Sequence, residues 1–332
     1  MPGMGDMDVL PVLTWNSLVS TWQLRPVLLA VTLAAALGYG VLVVRVERRG
    51  HRWPRRHIAA WMTALLVVVE ATQGGIAVYG DVLFWVHMVG HLLLIMVAPI
   101  FLVLGAPLSL LVAACGDETR TRLERQLSSG PIALLTHPAV GLVVYTVTIV
   151  GTHLTGFMNS MMLHPWLEGA EQLAYLAAGT LFFLPLLGSE PLRWRVEPAQ
   201  RMFVLLLSMP VDTFTGVILS QTTHYPWPAM AAMRQPWALT PLDDLHGGGA
   251  VMWIGGDGIM AIVFAAMFIS WARGDRAANL GQWLEIARLR ALQAHAGSAL
   301  PAATVVDSDA HLDAYNAYLE RLNESERPEA PR

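Results

Sequence analysis

Residues 82–104 read VLFWVHMVGHLLLIMVAPIFLVL, 23 residues without an acid or an arginine but with two histidines, His87 and His91. A bilayer hydrocarbon core about 30 Å thick is crossed by about 20 apolar residues of helix, so this stretch is a predicted transmembrane span. Six further stretches of the same kind lie at roughly 26–46, 58–79, 138–158, 170–188, 202–222 and 249–272. The composition agrees: of 332 residues, 55% are hydrophobic and 14% charged, where a soluble domain carries about a quarter charged. The predicted fold is all-α, a polytopic membrane bundle of about seven helices. The run that opens at Val82 continues to Cys115. Gly105-Ala106-Pro107 breaks it, leaving 105–115 either along the interface or as an extension past a kink.

Arginine placement predicts the orientation. The 45–56 loop holds Arg45, Arg48, Arg49, Arg52, Arg55 and Arg56. The 116–136 loop holds Arg120, Arg122 and Arg125, and the 189–201 loop Arg193, Arg195 and Arg201. Seven more follow residue 272, and only Arg25 and Arg234 fall at the other end. By the positive-inside rule the N-terminus lies outside and the C-terminus inside. Three parts follow: an extracytoplasmic segment 1–25, a transmembrane domain 26–272 and a cytoplasmic tail 273–332. The tail is helix-like over 281–295. It places Leu312, Tyr315, Leu319 and Leu322 at helical spacing before a frayed end. No standard signal peptide is expected, because a basic n-region is missing and the first apolar run begins only after Arg25.

Two classes drop out early. The chain has no lysine, so it cannot form a retinal Schiff base. Cys115 is its one cysteine, which excludes an intramolecular disulfide and a C-x-x-C metal or redox motif. A metal site must draw on His, Met, Asp or Glu.

The eleven histidines divide by side. His51, His57, His137, His295 and His311 fall inside or near it; His87, His91, His153, His164, His224 and His246 fall near the outer face. Neutral imidazole is a transition-metal ligand. The sharpest pair is His87 and His91, whose i, i+4 spacing sets both on one helix face about 6 Å apart along the axis. Polar groups at that depth are costly and usually face the bundle interior for function. The competing reading is an interhelical hydrogen bond. His153, at the outer end of the fourth span, His164, in the 159–167 loop, and His246, just before the seventh span, are each ordinary alone but could converge on the pair. Asp243 and Asp244 beside His246 could supply oxygen ligands or orient imidazoles. His224, in Tyr225-Pro226-Trp227-Pro228, reads as an interfacial anchor. Met4 and Met7 lie beside Asp6 and Asp8, Met158, Met161 and Met162 lie near His164, Met88 follows His87, and Met252 lies near His246. Thioether with imidazole suits Cu(I), although methionine is also a common core filler.

Three acids fall deep in predicted spans: Glu70, Asp212 and Asp257. They are candidates for an intramembrane proton or ion path, or for hydrogen bonding to a broken helix, Pro210 lying just before Asp212. The glycines Gly247-Gly248-Gly249 and Gly255-Gly256 permit close packing or unwinding of the seventh span.

Several of these residues stand in a familiar order. His87-Met88-Val89-Gly90-His91-Leu92-Leu93-Leu94, then Ala98-Pro99 and Leu104-Gly105-Ala106-Pro107, resemble the signature of the CtaG family, membrane proteins implicated in assembling caa3-type cytochrome c oxidases. Thr136-His137-Pro138, Leu163-His164, Ala178-Gly179-Thr180-Leu181-Phe182-Phe183, Asp243-Asp244-Leu245-His246-Gly247-Gly248 and Met252-Trp253-Ile254 follow in the family's order. Asp313-Ala314-Tyr315-Asn316 resembles actinobacterial members. The likeness covers about residues 80–275. It implies a role in oxidase biogenesis through copper delivery or insertion, with His87, His91 and His164 as functional histidines. Two departures stand out: Glu171-Gln172 where many members have Glu-His, and His246 near a usual Gln.

The expected function is therefore a non-enzymatic assembly factor in the bacterial plasma membrane. It would hold copper at the outer face and pass it to haem-copper oxidase subunits, with other copper chaperones as further partners. The alternatives are a copper permease using the three acids, a haem-binding protein, and a metal-free scaffold. Haem is disfavoured because His87 and His91 share a face and cannot ligate one haem in trans. Beyond these partners and the lipid bilayer, no nucleic acid is expected.

Overall fold

A computed structural model describes residues 10–273 apart from 165, 189 and 195. The methionines of the N-terminal segment and the predicted tail helices lie outside the described residues.

Six helices are long and apolar enough to cross a membrane. In chain order these are α1 (Pro26–Arg48), α2 (Arg55–Gly80), α3 (Phe84–Ala114), α5 (Trp166–Leu187), α6 (Pro198–Gln221) and α7 (Pro241–Arg273). Between α3 and α5 lies α4 (Pro138–His153), which pairs with Phe157–Leu163 across a 68° bend to make a seventh, broken span. The predicted straight span over 138–158 therefore ends early. Leu154 and Gly156 leave helical geometry, and Thr155 Oγ1 turns back to the Gly151 carbonyl.

Two other boundaries shift. The helix of α3 resumes after the Gly105-Ala106 break: Ala106 sits in the left-handed region at φ 49° and Pro107 opens the continuation. A leucine-rich continuation with its own helical turns wins over a segment on the interface. The α7 helix starts at Pro241 rather than near 249, with the Thr240 side chain accepting from Asp243 N–H as its cap. Proline at the first helical position is pre-set for such a start.

Burial ranks the helices. Half of the apolar window of α3 is buried (50%), against 11% for α1, whose Val27, Val31, Leu33, Leu37 and Val41 point outward. The α1 helix is held at the arginine-rich end by a cluster of Tyr39, Val43, Val46, Leu110 and Ala114. Tyr39 stacks on Trp61 there, and its hydroxyl donates to the Gly105 carbonyl at 2.8 Å. At the same end Glu190 accepts from the Leu108 and Ser109 amides at 3.2 and 2.7 Å and caps the second half of α3.

Helix–helix contact rests on small residues, as expected where lipid supplies no hydrophobic drive. A Cβ on Gly179 of α5 would overlap the Ile95 carbonyl of α3. That carbonyl lies in a π-helical turn, Leu93–Val97, directly ahead of Pro99. Proline has no N–H to offer the preceding turn, and its ring crowds the carbonyl four residues back, so a wider turn relieves the clash. A second π turn, Val251–Gly255, interrupts α7. The two π turns lie on helices that flank the same interior space.

Candidate metal centre

His87 and His91 project from the first turns of α3. Asp244 of α7 sets their position: its carboxylate accepts from the Phe84 amide at 2.7 Å and the Trp85 amide at 3.0 Å, closing two of the unpaired N–H groups that open a helix. The imidazoles then meet edge to face on one side of the helix, ring centroids 4.2 Å apart and planes at 61°. Opposite them, in the second turn of α5, stands Glu171, 3% exposed. Its Oε2 lies 3.7 Å from His87 Nε2 and 3.5 Å from His91 Nε2.

These are the only three side chains among the described residues that bring carboxylate and imidazole ligand atoms together as a metal-holding group, all within 4.8 Å of one another. His87 Nε2, His91 Nε2 and Glu171 Oε1 are buried without a hydrogen-bond partner. Buried polar atoms are rarely left unpaired, and the two unpaired Nε2 atoms both face Glu171 Oε2, an arrangement able to hold a cation between them. Nitrogen and oxygen donors at about 2.0–2.1 Å from a first-row ion lie about 3.3–3.5 Å apart, close to the spacings seen. A divalent or monovalent cation fits the donor set.

His153 adjoins this group from the end of α4. Its Nε2 is 3.3 Å from His91 Nδ1 and 3.2 Å from Met88 Sδ. Tyr175 closes the other side, its ring 4.0 Å from that of His91 and its hydroxyl 2.6 Å from Thr152 Oγ1. Above the cluster, Arg25 bonds Glu168 at 2.5 Å, and Gln172 donates to the same carboxylate at 3.0 Å. Asp81, between α2 and α3, is pushed up to about 7 by burial first and the Glu168 charge second, with Arg25 opposing.

The other residues singled out in the sequence lie elsewhere. His164 is exposed and bonds the Ser160 carbonyl of its own turn. His246 Nε2 bonds the Thr222 carbonyl at 2.8 Å. Asp243 accepts from Thr240 within the α7 cap, and Asp244 is committed to the start of α3. Of the deep acids, Glu70 accepts from the Ile76 amide across the Gly74 break in α2. Asp212 accepts from Tyr145 at 2.8 Å, and Asp257 from Thr213 at 2.6 Å, on adjoining helices. Glu70 is thus a local helix cap, whereas Asp212 shares a small cavity with His91 and His153. Glu171 was not singled out as a ligand in the sequence. A span starting at 170 set it at the membrane edge, but the helix begins at Trp166 and carries it a turn deeper.

The family model described as cytochrome c oxidase caa3 assembly factor (Caa3_CtaG) matches residues 37–274. An uncharacterized protein of Mycobacterium leprae is 27% identical over 316 residues, covering 93% of this chain and 45% of the relative. An uncharacterized protein of Mycobacterium bovis is 26% identical over 317 residues with the same coverage. The chain thus spans less than half the length of these curated relatives. No solved structure matches.

Proposed function

The chain belongs to the cytochrome c oxidase caa3 assembly-factor family (Caa3_CtaG), and from that membership we propose that it binds copper at the histidine cluster and passes it to the oxidase as cargo. The observation that carries this reading is the convergence of His87 Nε2 and His91 Nε2, both buried without a hydrogen-bond partner, on the Glu171 carboxylate inside an apolar bundle. Copper takes imidazole readily. The cluster lies near the arginine-poor end, which the positive-inside rule sets outside the bacterial plasma membrane, where an oxidase copper centre or another copper chaperone could meet it. The role asks for binding and ligand exchange, with no catalysed bond change.

The test is the copper content of detergent-purified full-length protein after loading with Cu(I), wild type beside His87→Ala/His91→Ala. The wild type should hold near-stoichiometric copper. The double variant should lose it while still accumulating in membranes, and cells carrying it should lose oxidase activity. Copper retention and full oxidase activity in the double variant would sink the reading.

One observation favours passage through the bundle as a second reading: Asp212 lines the cavity beside His91 and His153. Copper uptake into vesicles that depends on Asp212 would support it, and uptake-free vesicles would leave the assembly reading alone.

A further inference from the structure

The two nitrogens of His91 face two different neighbours, and a neutral ring beside an ionised Glu171 can donate to only one of them. His153 settles one side. Its Nδ1 lies 2.9 Å from the Ile149 carbonyl, a group that can only accept, with the Thr152 and Tyr175 hydroxyls at 3.1 and 3.3 Å; with the ring proton on Nδ1, donating to that carbonyl, Nε2 presents a lone pair. Around that lone pair stand Met88 Sδ at 3.2 Å, which has no hydrogen, and His91 Nδ1 at 3.3 Å.

Neutral His91 has a single N–H. Placed on Nδ1, it satisfies His153 and turns a bare Nε2 toward the Glu171 carboxylate at 3.5 Å. Placed on Nε2, it serves Glu171 and leaves the lone pairs of His91 Nδ1 and Met88 Sδ both against that of His153 Nε2. That second arrangement is a ready donor set of two imidazoles and a thioether. The 3.3 Å spacing of the two nitrogens matches imidazoles about 2.0–2.1 Å from a single ion, and the thioether, 3.2 Å from His153 Nε2, adjoins them at the longer reach of a sulfur donor, about 2.3 Å. A small cavity, with room for about one water molecule, lies between Met88, His91, His153, Tyr175, Asp212 and Met252. Met252 offers a second thioether from the π turn of α7.

We infer that the bundle holds a second, softer cation position beside the first, formed by His153 Nε2, Met88 Sδ and His91 Nδ1 with Met252 in reach, and that it takes Cu(I) or Ag(I). The inference rests on the copper reading above and deepens it. The position toward α5 is hard, built of two imidazoles and a carboxylate; the position toward α4 and α7 is soft. Soft thioether donors select monovalent copper, whereas carboxylate with imidazole also suits divalent ions. His91 lies between them and, with one ring proton, offers a lone pair to one position at a time: to the soft one when Nε2 carries the proton and to the hard one when Nδ1 does.

The experiment loads full-length protein in detergent with Cu(I) under a competing Cu(I) chelator, and separately with Co(II). X-ray absorption reads the Cu(I) ligands, and visible absorption reads Co(II). Wild type should show sulfur in the Cu(I) shell. Met88→Leu, close in volume to the original, should lose that sulfur signal and weaken Cu(I) binding by about tenfold or more while Co(II) binding holds. Glu171→Gln should do the reverse, weakening Co(II) and sparing the sulfur signal. If Met88→Leu folds poorly, Met252→Leu and Ag(I) displacement of Cu(I) supply the same readout. A Cu(I) shell of nitrogen and oxygen alone, unchanged in Met88→Leu, overturns the soft position and leaves the copper reading standing. Wild type that binds no Cu(I) overturns both.

Discussion

Asp244 and Glu171 are both buried acids near the arginine-poor end of the bundle, 6% and 3% exposed, and they behave in opposite ways. Each oxygen of Asp244 accepts a backbone N–H at the start of α3. One oxygen of Glu171 has no partner, and the other faces two imidazole nitrogens at 3.5 and 3.7 Å. The first carboxylate is satisfied by the fold itself. The second has one oxygen that no described group of the chain satisfies. Burial alone therefore does not mark a functional acid in a membrane bundle; the state of its hydrogen bonds does. Glu190, capping the second half of α3 at the other end, belongs with Asp244.

Three substitutions probe that contrast. The largest effect should come from Asp244→Ala, which strands two amides at a buried helix start. Hydrogen bonds to a charged group contribute about 1.5–3 kcal/mol each. A stability loss on the order of 3–6 kcal/mol should appear as a lower melting temperature in detergent and poorer membrane accumulation, while the folded fraction still binds metal. A stable Asp244→Ala that has lost metal would reverse the assignment of the two acids.

The second effect is Glu171→Gln. Its stability should stay within about 1 kcal/mol of wild type or rise, because an unmatched buried charge is removed. Divalent-metal affinity should fall by about tenfold or more, read by Co(II) titration. A destabilised variant with intact Co(II) affinity would make Glu171 a structural acid like Asp244.

The smallest effect concerns Asp81, between these two. Its folded value lies above its ordinary one, at about 7 against 3.8, so the fold disfavours its ionised form. Stability from this group is therefore greatest at low pH, declines as pH rises through the interval from about 4 to about 7, and is level above it. Asp81→Asn should flatten that slope in melting curves taken across the interval, and an unchanged slope would locate it in another group.

Most of the architecture was legible in hydropathy, because a membrane-spanning helix must be long and apolar whatever it packs against. The i, i+4 pair was legible for the same kind of reason: helical periodicity alone puts His87 and His91 on one face. What hydropathy does not encode is which faces meet. His246 and Asp243 are as close to the pair in composition as His153 is, yet they point to Thr222 and Thr240. His164 was favoured by the family likeness, and it turns back on its own exposed turn. Glu171 escaped because four residues of extra helix, from Trp166, fall below the resolution of a hydropathy window. The start of α7 is legible in Thr240-Pro241, a cap residue followed by proline, which a hydropathy window alone passes over.

The π turn at Leu93–Val97 divides α3 into two gears on one shaft. An α-helix advances by about 100° per residue, so the one extra residue of a π turn re-aims everything beyond it by roughly that angle. Upstream, the teeth engage the interior around Glu171; downstream, Pro99 meets Gly179 of α5 and the helix reaches the tryptophan-lined end around Tyr39. The spacing from His91 to Pro99 is thus a phase setting. Removing a single residue from it would leave hydropathy and composition almost untouched while pointing one half of the helix at the wrong partners.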